Sequence, residues 1–250
     1  MSEISDIFLN RRTIRKYTSE PVDDKLLNDI LAMGCRTSTT GNMQVYSIVI
    51  TKDEGKKREL APLHFNQKMI TEAPVVLTFC ADFNRFNKWC RQRSAEPGYD
   101  NFLSFLTAAT DALLAAQNAA LAAEDHGLGI CYLGTTLYNV DKIIEILELP
   151  ANVIPVTTLV LGYPDESPGL TDRLPLEGIV HYEKYKEYKP EDIDVIYSEK
   201  DSSELTQKLL KENNLETLAQ VFTQKRYTKK DNEAISQKLL EVIRKQGFGM

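Results

Sequence analysis

Apolar residues in this chain recur with two periods. Runs rich in β-branched residues at Val45–Thr51 (VYSIVIT), Pro74–Cys80 (PVVLTFC) and Pro155–Gly162 (PVTTLVLG) predict strands, the second continuous enough to be buried. Gly127–Gly134 reads as a helix end, a strand and a turn, with Gly127 as the helix C-cap. Helical spacing appears at Ser5–Asn10, then after Asp23, a plausible N-cap, with Ile30, Leu31 and Met33 on the apolar face of a helix ending near Gly34. Further helices are predicted at Asp53–Leu63, at Val140–Leu147 before Pro150, and from Ser203 to Met250 with a break at Lys225–Asp231. Asn101–Asp125 is the longest helical pattern, about 35 Å at the usual rise. It is apolar almost all round, which predicts a central buried helix.

Between these lie polar stretches. Thr37–Asn42 is a loop of small polar residues, and Asp82–Pro97 is an irregular or helical excursion. Tyr163–Pro175 is rich in turns, and Val180–Lys200 reads as a polar, tyrosine-bearing extended arm. Strands and helices mix without strict alternation. The expected class is therefore α+β, one central sheet with a long core helix and flanking helices. The arm cannot bury much on its own body, and a partner subunit is one place for it.

Composition narrows the function. The chain has 250 residues, 42% hydrophobic and 26% charged, ordinary for a globular protein with a full core. A net charge of -6 and a pI near 5.3 argue against nucleic-acid binding. Met1–Asp6 is polar and lacks the apolar core of a signal segment, and Ser104, Thr107, Thr110, Asp111, Gln117 and Asn118 interrupt the longest apolar stretch, against a membrane span. The four cysteines are scattered and form no C-x-x-C pair, as do the three histidines, so no metal site is expected; free thiols point to the cytoplasm.

One stretch departs from the acidic background. Arg11-Arg12-Thr13-Ile14-Arg15-Lys16-Tyr17 places four cations in six residues. It is either a solvated turn or an anion site in which Arg11 and Arg15 converge on a phosphate with help from Thr13. Gly127-x-Gly129-x4-Gly134 is not a dinucleotide fingerprint: the spacing is wrong and the segment starts at a helix end. No hydrolase motif or phosphate loop is present.

An ordered set of segments resembles the flavin-dependent nitroreductase family, in particular its oxygen-insensitive NAD(P)H nitroreductases and FMN reductases. The set comprises Arg11–Arg15, Thr37–Thr40 with Gln44, Gln67-Lys68, Phe79–Asp82, Asp111-Ala112 through Ala116-Gln117-Asn118, Glu124 through Gly134, Leu159 through Pro164, and Arg173-Leu174-Pro175. It covers about residues 4 to 185. The resemblance implies a nitroreductase-like fold, an FMN-binding core over residues 1–180, and an extended arm and C-terminal helical region over 181–250 that wraps a partner subunit. It implies a homodimer with FMN at the interface. Hydride would pass from NADPH or NADH to FMN in a ping-pong cycle, then to a small acceptor such as a nitroaromatic, a quinone or free flavin.

By position, the resemblance implies that Arg11, Thr13 and Arg173 hold the FMN phosphate, with Arg12 nearby, and that Arg15 lies by the N1/C2-carbonyl edge. Thr39 and Gln67 would hydrogen-bond the flavin, and the backbone of Tyr132, Leu133, Gly134 and Thr135 would line the ring beside N5. A cation near N1 stabilises the reduced flavin, and since the flavin carries the chemistry no catalytic side chain is expected. Lys225, Arg226, Lys229 and Lys230 lie where the family opposes the 2′-phosphate of NADPH. Two departures stand out. Thr171-Asp172-Arg173 replaces a Lys-Pro-Arg turn, losing a cation and adding a carboxylate, so that Arg11 would carry more of the phosphate. Thr135 replaces a second glycine and would narrow the space over the ring. The competing implication is a flavin-binding protein with little turnover, a sensor or store.

Overall fold

The computed structural model describes residues 3–249; Met1, Ser2 and Met250 lie outside them. The chain divides into two compact units, residues 1–170 with 237–250, and residues 171–236.

The first unit is built on one antiparallel sheet. Its strands are β1 (Tyr46–Thr51), β2 (Val75–Asp82), β3 (Gly129–Leu133) and β4 (Val153–Gly162), in the order β1-β2-β4-β3. Every residue of β2 and β4 is buried, so both faces of the sheet are covered, which is why those strands read as continuous apolar runs. Val75, Leu77, Phe79 and Ala81 pack on one side, Val76 and Val160 on the other. β4 begins two residues before the expected start. Pro155, inside it, pairs with Cys80 where the β2–β4 register shifts, as expected where a residue lacks a backbone donor.

Helices α1 (Glu3–Asn10), α2 (Asp24–Gly34), α3 (Glu54–Leu60), α4 (Met69–Glu72), α5 (Asn84–Gln92), α6 (Phe102–Asp125) and α7 (Val140–Ile146) belong to this unit. Asp23 caps α2 as expected, accepting from the N–H groups of Lys25 (2.8 Å) and Leu26 (3.3 Å). The single helix expected over Asp53–Leu63 stops at Leu60 and tightens to a 3-10 turn, Ala61–His64, containing Pro62. The short helix α4 has no counterpart in the sequence reading.

The long helix α6 corrects the sequence expectation. Its buried face is alanine: Ala108, Ala112, Ala115, Ala116, Ala119, Ala120 and Ala123 pack into the core. Four of its five leucines point outward, with Leu103 71%, Leu106 51%, Leu113 49% and Leu114 43% exposed. Small side chains let neighbouring backbone come close. A Cβ on Gly34 of α2 would stand 2.9 Å from the Cβ of Ala119. α6 ends as expected at Gly127 (φ 76), where Gly127 N–H donates to Glu124 O (3.0 Å) and Leu128 N–H to Ala123 O (2.9 Å).

The second unit holds α8 (Pro190–Ser202), α9 (Glu204–Asn213), α10 (Leu218–Val221), a π-helical turn Phe222–Arg226, and the start of α11 (Lys229–Lys245). The arm expected to be extended over Val180–Lys200 is helical from Pro190 onward. Pro190 sits in the first turn, and Asp192 accepts from the Lys189 N–H at 3.0 Å, a start signal the polar composition concealed. Among the described residues no helix is long and apolar enough to cross a membrane.

Replacing Gly34 by Ala forces a shift between α2 and α6 and is expected to lower stability by about 1–3 kcal/mol. Urea unfolding followed by circular dichroism checks this as a lowered midpoint at unchanged slope.

Candidate functional site

The basic stretch is bound to the edge of the sheet. After α1 it runs beside β3, where Thr13 bridges Ile130 and the Ile14 N–H donates to Ile130 O at 2.9 Å. Ile14 is buried, and a Cβ on Gly129 would stand 2.7 Å from it, so only glycine admits this approach. Tyr17 is also buried, and its hydroxyl donates to Ile14 O at 2.6 Å. It then bridges Pro164, while Thr18 N–H donates to Tyr163 O at 2.9 Å. With Ile14 and Tyr17 inside, Arg11, Arg12 and Thr13 are half-buried and Arg15 is exposed.

Two carboxylates meet this stretch, one at a side chain and one at the backbone. Arg11 Nε lies 3.9 Å from Glu124 Oε2 at the end of α6. Burial raises the Glu124 carboxyl above its ordinary pKa, against the opposing pull of Arg11 and of a hydrogen bond from the Arg12 backbone. Glu166 accepts from the Arg15 N–H at 2.6 Å. Arg12 Nη1 donates to Ser167 Oγ at 3.3 Å, whereas its Nε is buried with no partner. Arg11, Arg12, Glu124, Glu166 and Ser167 border a cavity of about 290 Å³. An orphaned, charged donor at such a cavity fits an anionic group.

The other end of β3 carries a second cluster. Leu133 is buried, and the chain turns into a 3-10 segment, Gly134–Tyr138. Gln67 Nε2 donates to Thr135 Oγ1 at 3.4 Å, and His64 Nδ1 lies 2.8 Å from the same hydroxyl. A Cβ on Gly134 would meet nothing within 4 Å, so the face beside it is open. From Ile130 to Leu133 the strand spans roughly 10 Å, so the two clusters lie at opposite ends of β3. Burial pushes the Tyr132 hydroxyl and the Cys131 thiol above their ordinary values and holds His64 down at about 4.

The remaining predicted residues belong to other segments. Thr39 precedes a 3-10 turn, Thr40–Asn42, where Thr40 gives both its N–H (3.0 Å) and its hydroxyl (3.1 Å) to Asp111 Oδ1. Asp111 and Glu124 are about 20 Å apart along α6, so Thr39 is not brought to the Arg11 cluster of the same chain. Asp111 is core-bound, as the sequence predicted, although its Oδ2 is unpartnered. Arg173 belongs to the second unit, where its Nη1 donates to Thr171 Oγ1 and to Asp172 O, both at 2.8 Å. The Asp172 carboxylate is ion-paired with Lys200, which holds its pKa below the ordinary value. Lys225 and Arg226 close the π-helical turn, Lys229 and Lys230 open α11, and all four are exposed.

Sequence reasoning missed Glu166 and His64 as parts of the site. Glu166 lies in a turn-rich stretch without periodicity. His64 falls just past the helix expected over Asp53–Leu63, and its only cue was a lone histidine three residues before Gln67.

A family model described as "Nitroreductase family" matches residues 9–163. The chain is 37% identical over 186 residues to an oxygen-insensitive NADPH nitroreductase of Salmonella typhimurium, covering 74% of this chain and 76% of the relative. Among solved structures, a Bacteroides fragilis protein, provisionally an oxidoreductase, is 56% identical with a TM-score of 0.97, covering 98% of this chain and 100% of that one. The NADPH:FMN oxidoreductase of Vibrio harveyi, complexed with NAD+, is 29% identical with a TM-score of 0.83, covering 99% of each chain.

His64 also makes a pH prediction. Its pKa falls from the ordinary 6.5 to about 4 on folding, so below 6.5 the unfolded chain takes up a proton that the folded chain refuses. Stability contributed by the neutral ring is full above 6.5 and lost as pH falls to about 4, by up to about 3 kcal/mol. Urea unfolding across this range checks it: His64→Asn should flatten that part of the profile.

Proposed function

The chain belongs to the nitroreductase family, and from that premise we propose that it is an FMN-dependent NAD(P)H oxidoreductase reducing nitroaromatics, quinones or free flavin. The supporting relatives are oxidoreductases by name, one an NADPH nitroreductase and one an NADPH:FMN oxidoreductase. The observation that carries the reading is the buried, unpartnered Arg12 Nε beside Arg11 at an open cavity.

FMN, when bound, supplies the centre that accepts a hydride from NAD(P)H and passes two electrons to the acceptor. Arg11, Arg12 and Thr13 would hold its phosphate. Arg15 would supply a positive charge near the N1/C2-carbonyl edge, favouring the reduced state. Gln67 would hydrogen-bond the ring, and the backbone from Tyr132 to Thr135 would border it beside N5. Lys225, Arg226, Lys229 and Lys230 offer exposed cations to the 2′-phosphate of NADPH, which makes NADPH the preferred donor over NADH.

The active form in this reading is a homodimer. The exposed leucines of α6 form an apolar stripe of the kind a second copy covers. Thr39, whose loop is anchored at Asp111 about 20 Å along α6 from Glu124, then serves the partner's flavin. The segment beyond residue 180 wraps that partner. The four free cysteines and the use of NAD(P)H suit the cytoplasm.

The purified protein should be yellow, bleach on anaerobic addition of NADPH more efficiently than with NADH, and recover its colour on addition of a nitroaromatic or quinone. A protein that takes up no FMN sinks the proposal, and one that binds it without bleaching is a carrier instead. Arg12→Ala should raise the FMN Kd roughly ten- to a hundredfold, as expected for loss of charge-assisted hydrogen bonds. Leu113→Glu should shift the protein toward monomer in sedimentation velocity; an unchanged dimer would place the interface elsewhere.

A further inference from the structure

We infer that His64 is a positioning residue that acts through Thr135: its buried imidazole accepts a hydrogen bond from the Thr135 hydroxyl, and the oxygen thus fixed holds the carboxamide of Gln67. The inference rests on the FMN reading above, because Gln67 is the side chain proposed there to touch the ring.

The geometry leaves the relay little freedom. His64 is 1% exposed and ends the 3-10 turn Ala61–His64. Phe65 and Asn66 follow in left-handed conformations, with φ of 55° and 53°, and turn the chain so that Gln67 and His64 meet the same hydroxyl. A threonine hydroxyl has one proton and two lone pairs. Gln67 Nε2 donates to the oxygen at 3.4 Å, and the inferred relay gives the hydroxyl proton to Nδ1, 2.8 Å away. That assignment places the imidazole's own proton on Nε2, and burial, which lowers its pKa to about 4, keeps the ring neutral at physiological pH.

Within this relay Gln67 uses only one Nε2 hydrogen. Its Oε1 and second hydrogen are free for a ligand, and its rotamer is set before one arrives. The relay also gives the unusual Thr135 a purpose. Its hydroxyl is drawn to a buried ring nitrogen, while the space next to Gly134 stays open. Threonine at this turn therefore organises Gln67 through a hydrogen bond that a glycine could not make.

The test uses FMN-loaded protein and four variants: His64→Leu, His64→Asn, Thr135→Ala and the double variant His64→Leu/Thr135→Ala. His64→Leu and Thr135→Ala should each change the FMN Kd or the acceptor kcat/KM by roughly three- to tenfold, the worth of one hydrogen bond, and shift the visible flavin band. His64→Asn, which can still accept the hydroxyl proton, should lie nearer to wild type than His64→Leu. In the Thr135→Ala background, His64→Leu should add nothing, because its route is gone. A folded His64→Leu protein with wild-type flavin spectrum and kinetics overturns the inference, as does a full His64→Leu effect in the absence of the Thr135 hydroxyl. If His64→Leu does not fold, Thr135→Ser against Thr135→Ala decides: serine must lie closer to wild type, and equal effects overturn the relay. Wild-type protein that binds no FMN removes the underlying reading and this inference with it, whereas wild-type binding with an unresponsive relay removes the inference alone.

Discussion

The strip from Arg11 to Tyr17 lies against the free edge of β3, and the charges of the candidate site take their places from that contact. One backbone hydrogen bond, Ile14 to Ile130, and the seating of Ile14 over Gly129 fix it. An edge strand needs cover, and this strip supplies it without becoming a full strand. Ile14 must face inward, so its neighbours Thr13 and Arg15 cannot. The turn at Gly127 finishes α6 just where Glu124 meets Arg11. Gly127 and Gly129 thus act together, one through its backbone conformation and one through its missing side chain. A larger residue at position 129 would push the strip away and scatter the arginines.

α6 divides its work by side-chain size. Alanine toward the sheet lets α2 and the strands pack near its backbone, so a narrow helix face suffices for the core. Leucine on the opposite face has no such role within one chain, and the cost of leaving it in water is about 25 cal/mol for each Å². That cost is what makes the stripe informative. The same helix separates the Asp111 anchor of the Thr39 loop from Glu124 by more than one small contact radius. A flavin site needing both regions is most simply completed by two chains, each giving one end of its helix.

Much of the fold was legible because strong local signals agreed. Asp23, Gly127 and the apolar runs of β2 and β4 each acted as expected, since capping chemistry and burial on both faces leave direct marks in sequence. The orientation of α6 was not legible. Alanine and leucine count alike as apolar, and only tertiary packing decides which is inside. The start of α8 was hidden because Pro190 and Asp192 look like linker residues until the cap is formed. In the candidate site, the arginines and Gln67 were visible through an ordered resemblance. Glu166 and His64 were not, because each acts through a partner far away in sequence, Arg15 and Thr135 respectively.

Residue identity alone would weigh the anion site by its count of arginines, whereas the pairing pattern weighs it differently. Arg11 already faces Glu124 at 3.9 Å, beyond hydrogen-bond distance yet close enough to lower its field. Arg12 has spent Nη1 on Ser167 but keeps a buried Nε unspent. In the proposed site a phosphate would therefore gain most at Arg12, because satisfying an orphaned buried donor recovers its desolvation cost. The carboxylate of Asp172, which by sequence should oppose a phosphate, is committed to Lys200, and its repulsion is largely cancelled within its own unit.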